Sequence, residues 1–148
     1  MSQNEITALF DEWNAAIQTG NPKNVAALYE SNGILLPTLS NSVRHNHEEI
    51  EDYFVRFLAN GPVGKIDEGN VRTFGQMAIN SGIYTFSFKD STSVSARFTF
   101  VYRWNGERWM IVEHHSSQMP EFIAICPKVR TFPSSIFPAG PFARKRTK

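Results

Sequence analysis

The sequence predicts an α+β fold in which one curved, cone-shaped antiparallel sheet wraps around N-terminal helices. Three observations predict it. Apolar residues recur with helical period before about residue 60, the period changes to two from about Ile66 onward, and Asn105-Gly106 sits between two alternating apolar runs. Helices first and strands afterwards is the order of an α+β domain, not of alternating βαβ units.

Ser2 and Glu5 stand at capping-box spacing, and Ile6, Leu9, Phe10, Trp13 and Ile17 form one stripe until Gly20 ends a long amphipathic helix. Asn21-Pro22 caps a short second helix carrying Val25, Leu28 and Tyr29. Gly33 opens an apolar strand, Ile34-Leu35-Leu36, and a loop begins at Pro37-Thr38. A third helix, starting near Asn46 or His47, puts Ile50, Tyr53, Phe54, Phe57 and Leu58 on one stripe and ends at Asn60-Gly61-Pro62. Tyr53 therefore points inward with a hydroxyl that needs a partner. Strands are predicted near 66–74, 77–88, 93–104 and 107–117.

A two-residue type I′ turn at Asn105-Gly106 places Trp104 opposite Glu107. Pairing then continues through Tyr102 with Trp109, Phe100 with Ile111, Phe98 with Glu113, Ala96 with His115 and Val94 with Ser117. This face is the apolar one, so His115 and Ser117 are expected inside. The opposite face, which holds Val101, Met110, Val112, His114 and Ser116, suits an exterior or an oligomer interface. A β-bulge beyond Val112 reverses the assignment and turns His114 and Ser116 inward.

A chain of 148 residues, 41% of them hydrophobic, suffices for one domain. The N-terminus has no basic segment leading into an apolar stretch, and no run approaches membrane-spanning length, so a soluble cytoplasmic protein without membrane contact is expected. The lone Cys126 excludes an internal disulfide framework. Residues 1–121 carry nine Lys/Arg against all fourteen Asp/Glu, a net of −5, whereas residues 122–148 carry six Lys/Arg and no acid, a net of +6. An acidic body is no nucleic-acid platform, and no nucleic-acid partner is expected. Residues 122–148, with four prolines and the terminal Arg144-Lys145-Arg146, read as an irregular basic extension of a domain spanning 1–121. The extension's apolar residues suit docking on the body or on another subunit.

The segment Ile111-Val112-Glu113-His114-His115-Ser116-Ser117 runs an apolar strand straight into two imidazoles and two hydroxyls. Together with Thr38 and Tyr53, the inward pair His115 and Ser117 is expected to converge among Phe86, Phe98 and Phe100, the make-up of a small-molecule pocket.

The order of elements resembles the nuclear-transport-factor-2-like cone fold. The segments Leu35-Leu36-Pro37-Thr38-Leu39-Ser40-Asn41, Asp52-Tyr53-Phe54-Val55, Gly82-Ile83-Tyr84-Thr85-Phe86 and Arg97-Phe98-Thr99-Phe100-Val101-Tyr102, with the ending His-His-Ser-Ser-x-Met-Pro, resemble bacterial relatives of the calcium/calmodulin-dependent protein kinase II association domain. Members with this ending include the iota-class carbonic anhydrases, and the similarity covers roughly residues 4–121. The resemblance implies a cone that binds carbon dioxide and bicarbonate through hydroxyls and an imidazole, in some members without metal. Carried over, it implies Thr38, Tyr53, His115 and Ser117 as the catalytic set. Phe98, Phe100, Tyr84, His114 and Ser116 are expected about the substrate, and Tyr84 is a second candidate for the tyrosine's place.

Hydration of carbon dioxide needs a held water, an acceptor for its proton and donors for the developing bicarbonate oxygens. Thr38 and Ser117 are expected to position the water, Tyr53 to donate, and His115, an imidazole whose unperturbed pKa is about 6.5, to accept or relay the proton. No cofactor and no metal are expected in this reading. The rival metal chemistry rests on His45-x-His47 and on His114-His115, but adjacent strand residues diverge. Two further classes remain: a non-catalytic oligomerisation hub, and an isomerase of the ketosteroid type using Glu113, the sole sheet carboxylate on the expected inner face. A homodimer or higher homo-oligomer is expected, because Val101, Met110 and Val112 otherwise leave an apolar patch outside.

Overall fold

In the computed structural model, residues 2–120 are described; the basic extension and Cys126 lie outside them. Three helices, α1 (Gln3–Gln18), α2 (Pro22–Ala26) and α3 (His47–Ala59), combine with five strands. The strands are β1 (Tyr29–Leu36), β2 (Val63–Phe74), β3 (Met77–Ser87), β4 (Ser93–Trp104) and β5 (Trp109–Gln118).

The helix boundaries follow from their caps. The Ser2 hydroxyl accepts from the Glu5 N–H, and the Asn46 side chain accepts from the Glu49 N–H at 2.9 Å. Gly20 and Gly61 end α1 and α3 at φ of +71° and +60°. The α1 stripe Ile6, Phe10, Trp13 and Ile17 is fully buried, as are Ile50 and Phe54 of α3. Asn14 pins α1 to the start of β2, donating to the Gly64 carbonyl at 3.0 Å and accepting from the Gly64 N–H at 2.8 Å.

The strands form one unclosed sheet in the order β1-β5-β4-β3-β2. The sheet is antiparallel from β2 to β5, but β1 lies parallel to β5, with Leu35 beside His114 and Leu36 beside His115. The expected sheet was antiparallel throughout, and hydropathy period carries no information on strand direction. Tyr29, expected on the second helix, instead opens β1.

Curvature comes from bulges. In β2 the register shifts between Ile66, paired with Tyr84, and Glu68, paired with Ile83, one residue from Gly82 of β3. A Cβ at Gly82 would overlap the Glu68 carbonyl, so the bend requires glycine there.

The β4–β5 hairpin departs from the type I′ turn. Trp104 pairs with Trp109, and the loop holds four residues, Asn105 to Arg108. The Asn105 side chain accepts from the N–H groups of Glu107 and Arg108, both at 2.9 Å, and so closes a wider turn than two residues allow. The two indole rings meet edge to face at 5.7 Å. The shift is by two residues, so it preserves the faces as far as Ile111, which pairs with Tyr102. A bulge at Val112 then makes Glu113 the partner of Val101 and His114 the partner of Phe100.

Candidate functional site

That bulge decides the chemistry of the concave face. Beyond it, His114 and Ser116 are buried, at 3% and 8% exposure, while Glu113 and His115 are exposed and Ser117 is partly so. The expectation that His115 and Ser117 face the interior is corrected: they lie on the outer face, because the bulge consumes one residue and inverts the alternation. Glu113 turns outward for the same reason.

β1 brings the next group. With Leu35 and Leu36 running beside His114 and His115, Thr38 arrives two residues past the strand end next to Ser116, and the two hydroxyl oxygens lie 2.5 Å apart. Tyr84, inward on β3, donates to the Ser116 hydroxyl at 2.5 Å, and its oxygen lies 3.2 Å from His114 Nε2. On the other side of the imidazole, the Tyr29 hydroxyl lies 2.8 Å from Nδ1, and the Trp13 indole N–H donates to Tyr29 at 3.2 Å. Six side chains from α1, β1, the following loop, β3 and β5 thus form one continuous hydrogen-bonded series.

Aromatic rings sheathe it. Phe100 stacks on the His114 ring at 3.9 Å, Trp13 meets that ring edge-on at 5.5 Å, and Phe98 stacks on Tyr84 at 4.7 Å. This apolar setting penalises charge. Burial, reinforced by the neighbouring His115, pushes the His114 imidazole down to about 3, so the ring is neutral at ordinary pH. Burial likewise raises Tyr84 and Tyr29, although the Ser116 and Trp13 hydrogen bonds oppose it. Tyr53 is pushed up to about 12 by burial, against the pull of the Leu39 backbone and the Arg44 guanidinium, whose carbon lies 5.8 Å from the ring centroid.

The series ends at a cavity of about 30 Å³, at least twice the roughly 10–15 Å³ that holds one water. Thr38, Tyr53, Tyr84, His114 and Ser116 supply its polar groups, and Leu35, Phe54, Phe57, Phe86 and Val94 are among its apolar walls. Among the described residues no Asp or Glu lines it. Phe98 and Phe100, expected as walls, instead back the polar groups from behind. Tyr29 and Trp13 were missed by sequence reasoning, which treated both as packing residues. The usable signal was that a buried tyrosine hydroxyl must find a partner.

The remaining histidines serve α3. His45 Nδ1 lies 3.2 Å from Glu49 Oε1, and His47 Nε2 donates to the Tyr29 carbonyl at 2.7 Å. Among the described residues no three His, Cys, Asp or Glu side chains come together as a metal site. No helix there is long and apolar enough to cross a membrane.

Solved structures share this architecture. A nuclear-transport-factor-2-like protein from Pseudomonas putida superposes with a TM-score of 0.71 at 16% identity, covering 82% of this chain and 89% of its own. A protein from Streptomyces avermitilis, named as a dehydratase of the same fold family, gives 0.67 at 14% identity, covering 80% and 96%. At such identities the likeness is one of fold, and it shows the fold to be nuclear-transport-factor-2-like. A protein from Xanthomonas campestris, named for the calcium/calmodulin-dependent protein kinase II association domain, is 49% identical over 79% of this chain and 87% of its own, with a TM-score of 0.76. Residues 2–120 match the calcium/calmodulin-dependent protein kinase II association domain family, and the chain belongs to it. No curated protein matches the chain.

Proposed function

We propose that the chain catalyses the reversible hydration of carbon dioxide in the Thr38 cavity. The observation that carries the reading is the hydrogen-bonded series of hydroxyls and one neutral imidazole ending at a small cavity with largely apolar walls. Such walls favour a nonpolar triatomic gas, and the hydroxyls suit its hydrated product. The His-His-Ser-Ser ending, which resembles that of the iota-class carbonic anhydrases, supports it. The facing of β5 transfers the imidazole and hydroxyl roles from His115 and Ser117 to His114 and Ser116.

In this mechanism Thr38, held by Ser116, positions a water against the carbon. The water oxygen bonds to carbon as one C=O π pair moves onto oxygen. Thr38 accepts the water's proton and passes its own to that oxygen, giving carbonic acid, which releases a proton to bulk solvent as bicarbonate forms. Tyr53, neutral with its hydroxyl at about 12, supplies a second donor. His114 acts through Tyr84 and Ser116 and does not take the water's proton, because burial holds its basicity too low. Turnover through alcohol groups is expected to be modest. The isomerase reading lacks a carboxylate at this cavity.

Stopped-flow measurement of carbon dioxide hydration, with and without chelator, tests the proposal. The protein is expected to exceed the buffer rate under both conditions, and Thr38→Ala to abolish the excess. A rate equal to buffer, or loss on chelation with restoration by zinc, would overturn it.

A second reading, an oligomerisation hub, is favoured by the family's association role and by the partly exposed Val101, Met110 and Val112 on the outer face. Light scattering at micromolar concentration is expected to give at least a dimer, and a monomeric mass contradicts it. Thr38→Ala leaves this property unchanged, which separates the two readings.

A further inference from the structure

The order of the hydrogen bonds fixes their direction. The Trp13 indole N–H can only donate, and it occupies one lone pair of the Tyr29 oxygen at 3.2 Å. The acceptor within reach of the Tyr29 proton is then His114 Nδ1, at 2.8 Å. A neutral imidazole that accepts at Nδ1 carries its proton at Nε2, where Tyr84 lies at 3.2 Å as acceptor. Tyr84 donates onward to Ser116, Ser116 to Thr38, and the Thr38 proton is left facing the cavity. The reverse order would make Nδ1–H donate to Tyr29 and strand the Tyr29 proton, in a residue with no solvent exposure, without an acceptor.

We propose that Tyr29, held by Trp13, is a positioning residue that locks His114 as its Nε2–H tautomer and so polarises the hydroxyl series toward the cavity, which selects ligands that present hydrogen-bond acceptors, small anions above all. Tyr29 is not among the residues lining the cavity, so it acts only through the imidazole. The inference rests on the carbon dioxide reading solely for which anion is bound in nature. Any small acceptor anion tests the polarity. The neutrality of His114 is consistent with it, since a doubly protonated ring would have no use for the Tyr29 proton.

The test uses the full chain labelled with nitrogen-15 at histidine. Two-bond proton–nitrogen correlation spectra read which ring nitrogen of His114 carries the proton, and chemical-shift titration with sodium bicarbonate and with sodium nitrate reads anion affinity. The wild-type protein is expected to show the Nε2–H tautomer alone and to bind both anions. Tyr29→Phe removes the lock, so His114 should become a tautomer mixture and both affinities should fall about tenfold. Tyr102→Phe is the control: it deletes a buried hydroxyl that has no partner among the described residues, in a ring stacked on Phe100 at 5.7 Å, and should change neither readout. A wild-type Nδ1–H tautomer overturns the proposal. So does a Tyr29→Phe protein with unchanged tautomer or unchanged affinity, or a Tyr102→Phe protein that loses as much as Tyr29→Phe does. Neither readout needs turnover, so a protein that binds the anions as described but does not hydrate carbon dioxide would refute the activity and leave this inference standing.

Discussion

Replacing Ser116 and Ser117 one at a time separates the two faces of β5. The Ser116 oxygen lies 2.5 Å from both the Tyr84 and the Thr38 hydroxyls. Its loss strands the Tyr84 proton, in a residue only 1% exposed, because Nε2 of the polarised imidazole has no free lone pair for it. A buried donor left unmade costs about 1–3 kcal/mol. The deleted atom is a single oxygen, so the cavity contribution is small. For a domain of this size that corresponds to a fall in Tm of roughly 3–5 °C per kcal/mol. Removing one preorganised donor from a reacting centre typically lowers kcat by about 10²–10³-fold. Ser117 is partly exposed on the opposite face, and Ser117→Ala should stay within about 0.5 kcal/mol of wild type and keep its activity. Thermal unfolding and stopped-flow hydration on the two variants read both effects. If Ser117→Ala is the inactive protein and Ser116→Ala retains the full rate, the assignment of faces and the role built on it are wrong.

Three further outcomes are expected. The pH profile of kcat/KM should be flat from about pH 5.5 to 9, since the His114 imidazole is held at about 3 and the Tyr53 hydroxyl at about 12; a midpoint near neutrality would implicate a general base instead. Acid should destabilise the fold through His114: its pKa is about 3 folded against 6.5 unfolded, so the unfolded chain takes up the proton first. Stability is then full above about pH 6.5 and falls by up to about 1.4 kcal/mol per unit as pH drops toward 3. Urea unfolding at pH 7 and 4.5 should show a smaller acid loss for His114→Phe than for wild type, and equal losses would contradict the buried neutral ring. Gly82→Ala forces a methyl into the Glu68 carbonyl at the β2 bulge and should cost about 2 kcal/mol or more, measured as a lower urea midpoint at unchanged slope.

Much of this architecture was readable from pattern, and the failures have definite causes. The α1 stripe, the Asn46 cap and the four long strands follow from period and capping chemistry, which are local. The hairpin register failed at Asn105, where a side chain capping two backbone N–H groups outcompeted the turn that the Asn-Gly pair favours. The direction of β1 and its pairing with β5 are nonlocal and leave no mark in hydropathy. Within the candidate site, Thr38, Tyr53 and the His-Ser pairs were recognisable as residue types, but which pair faces inward depended on a single extra residue. Tyr29 stayed hidden because the sequence near it reads as the end of a helix, whereas in the fold it opens an edge strand facing Trp13 and His114.

The doubled letters beyond Val112 make β5 a redundant message. In the fold an imidazole stands opposite Phe100 and a hydroxyl opposite Phe98. With the register held at Ile111, loss of any one residue from Val112 to Ser117 still leaves a histidine at the first place and a serine at the second. When His114 is lost, His115 steps into its position and Ser117 follows; when Ser116 is lost, Ser117 replaces it; when Val112 or Glu113 is lost, the bulge is absorbed and nothing behind it moves. The stretch of chain that carries the chemistry is therefore insulated against single-residue deletion, whereas deletion within β4, which has no such repetition, throws its inward aromatic residues to the outside.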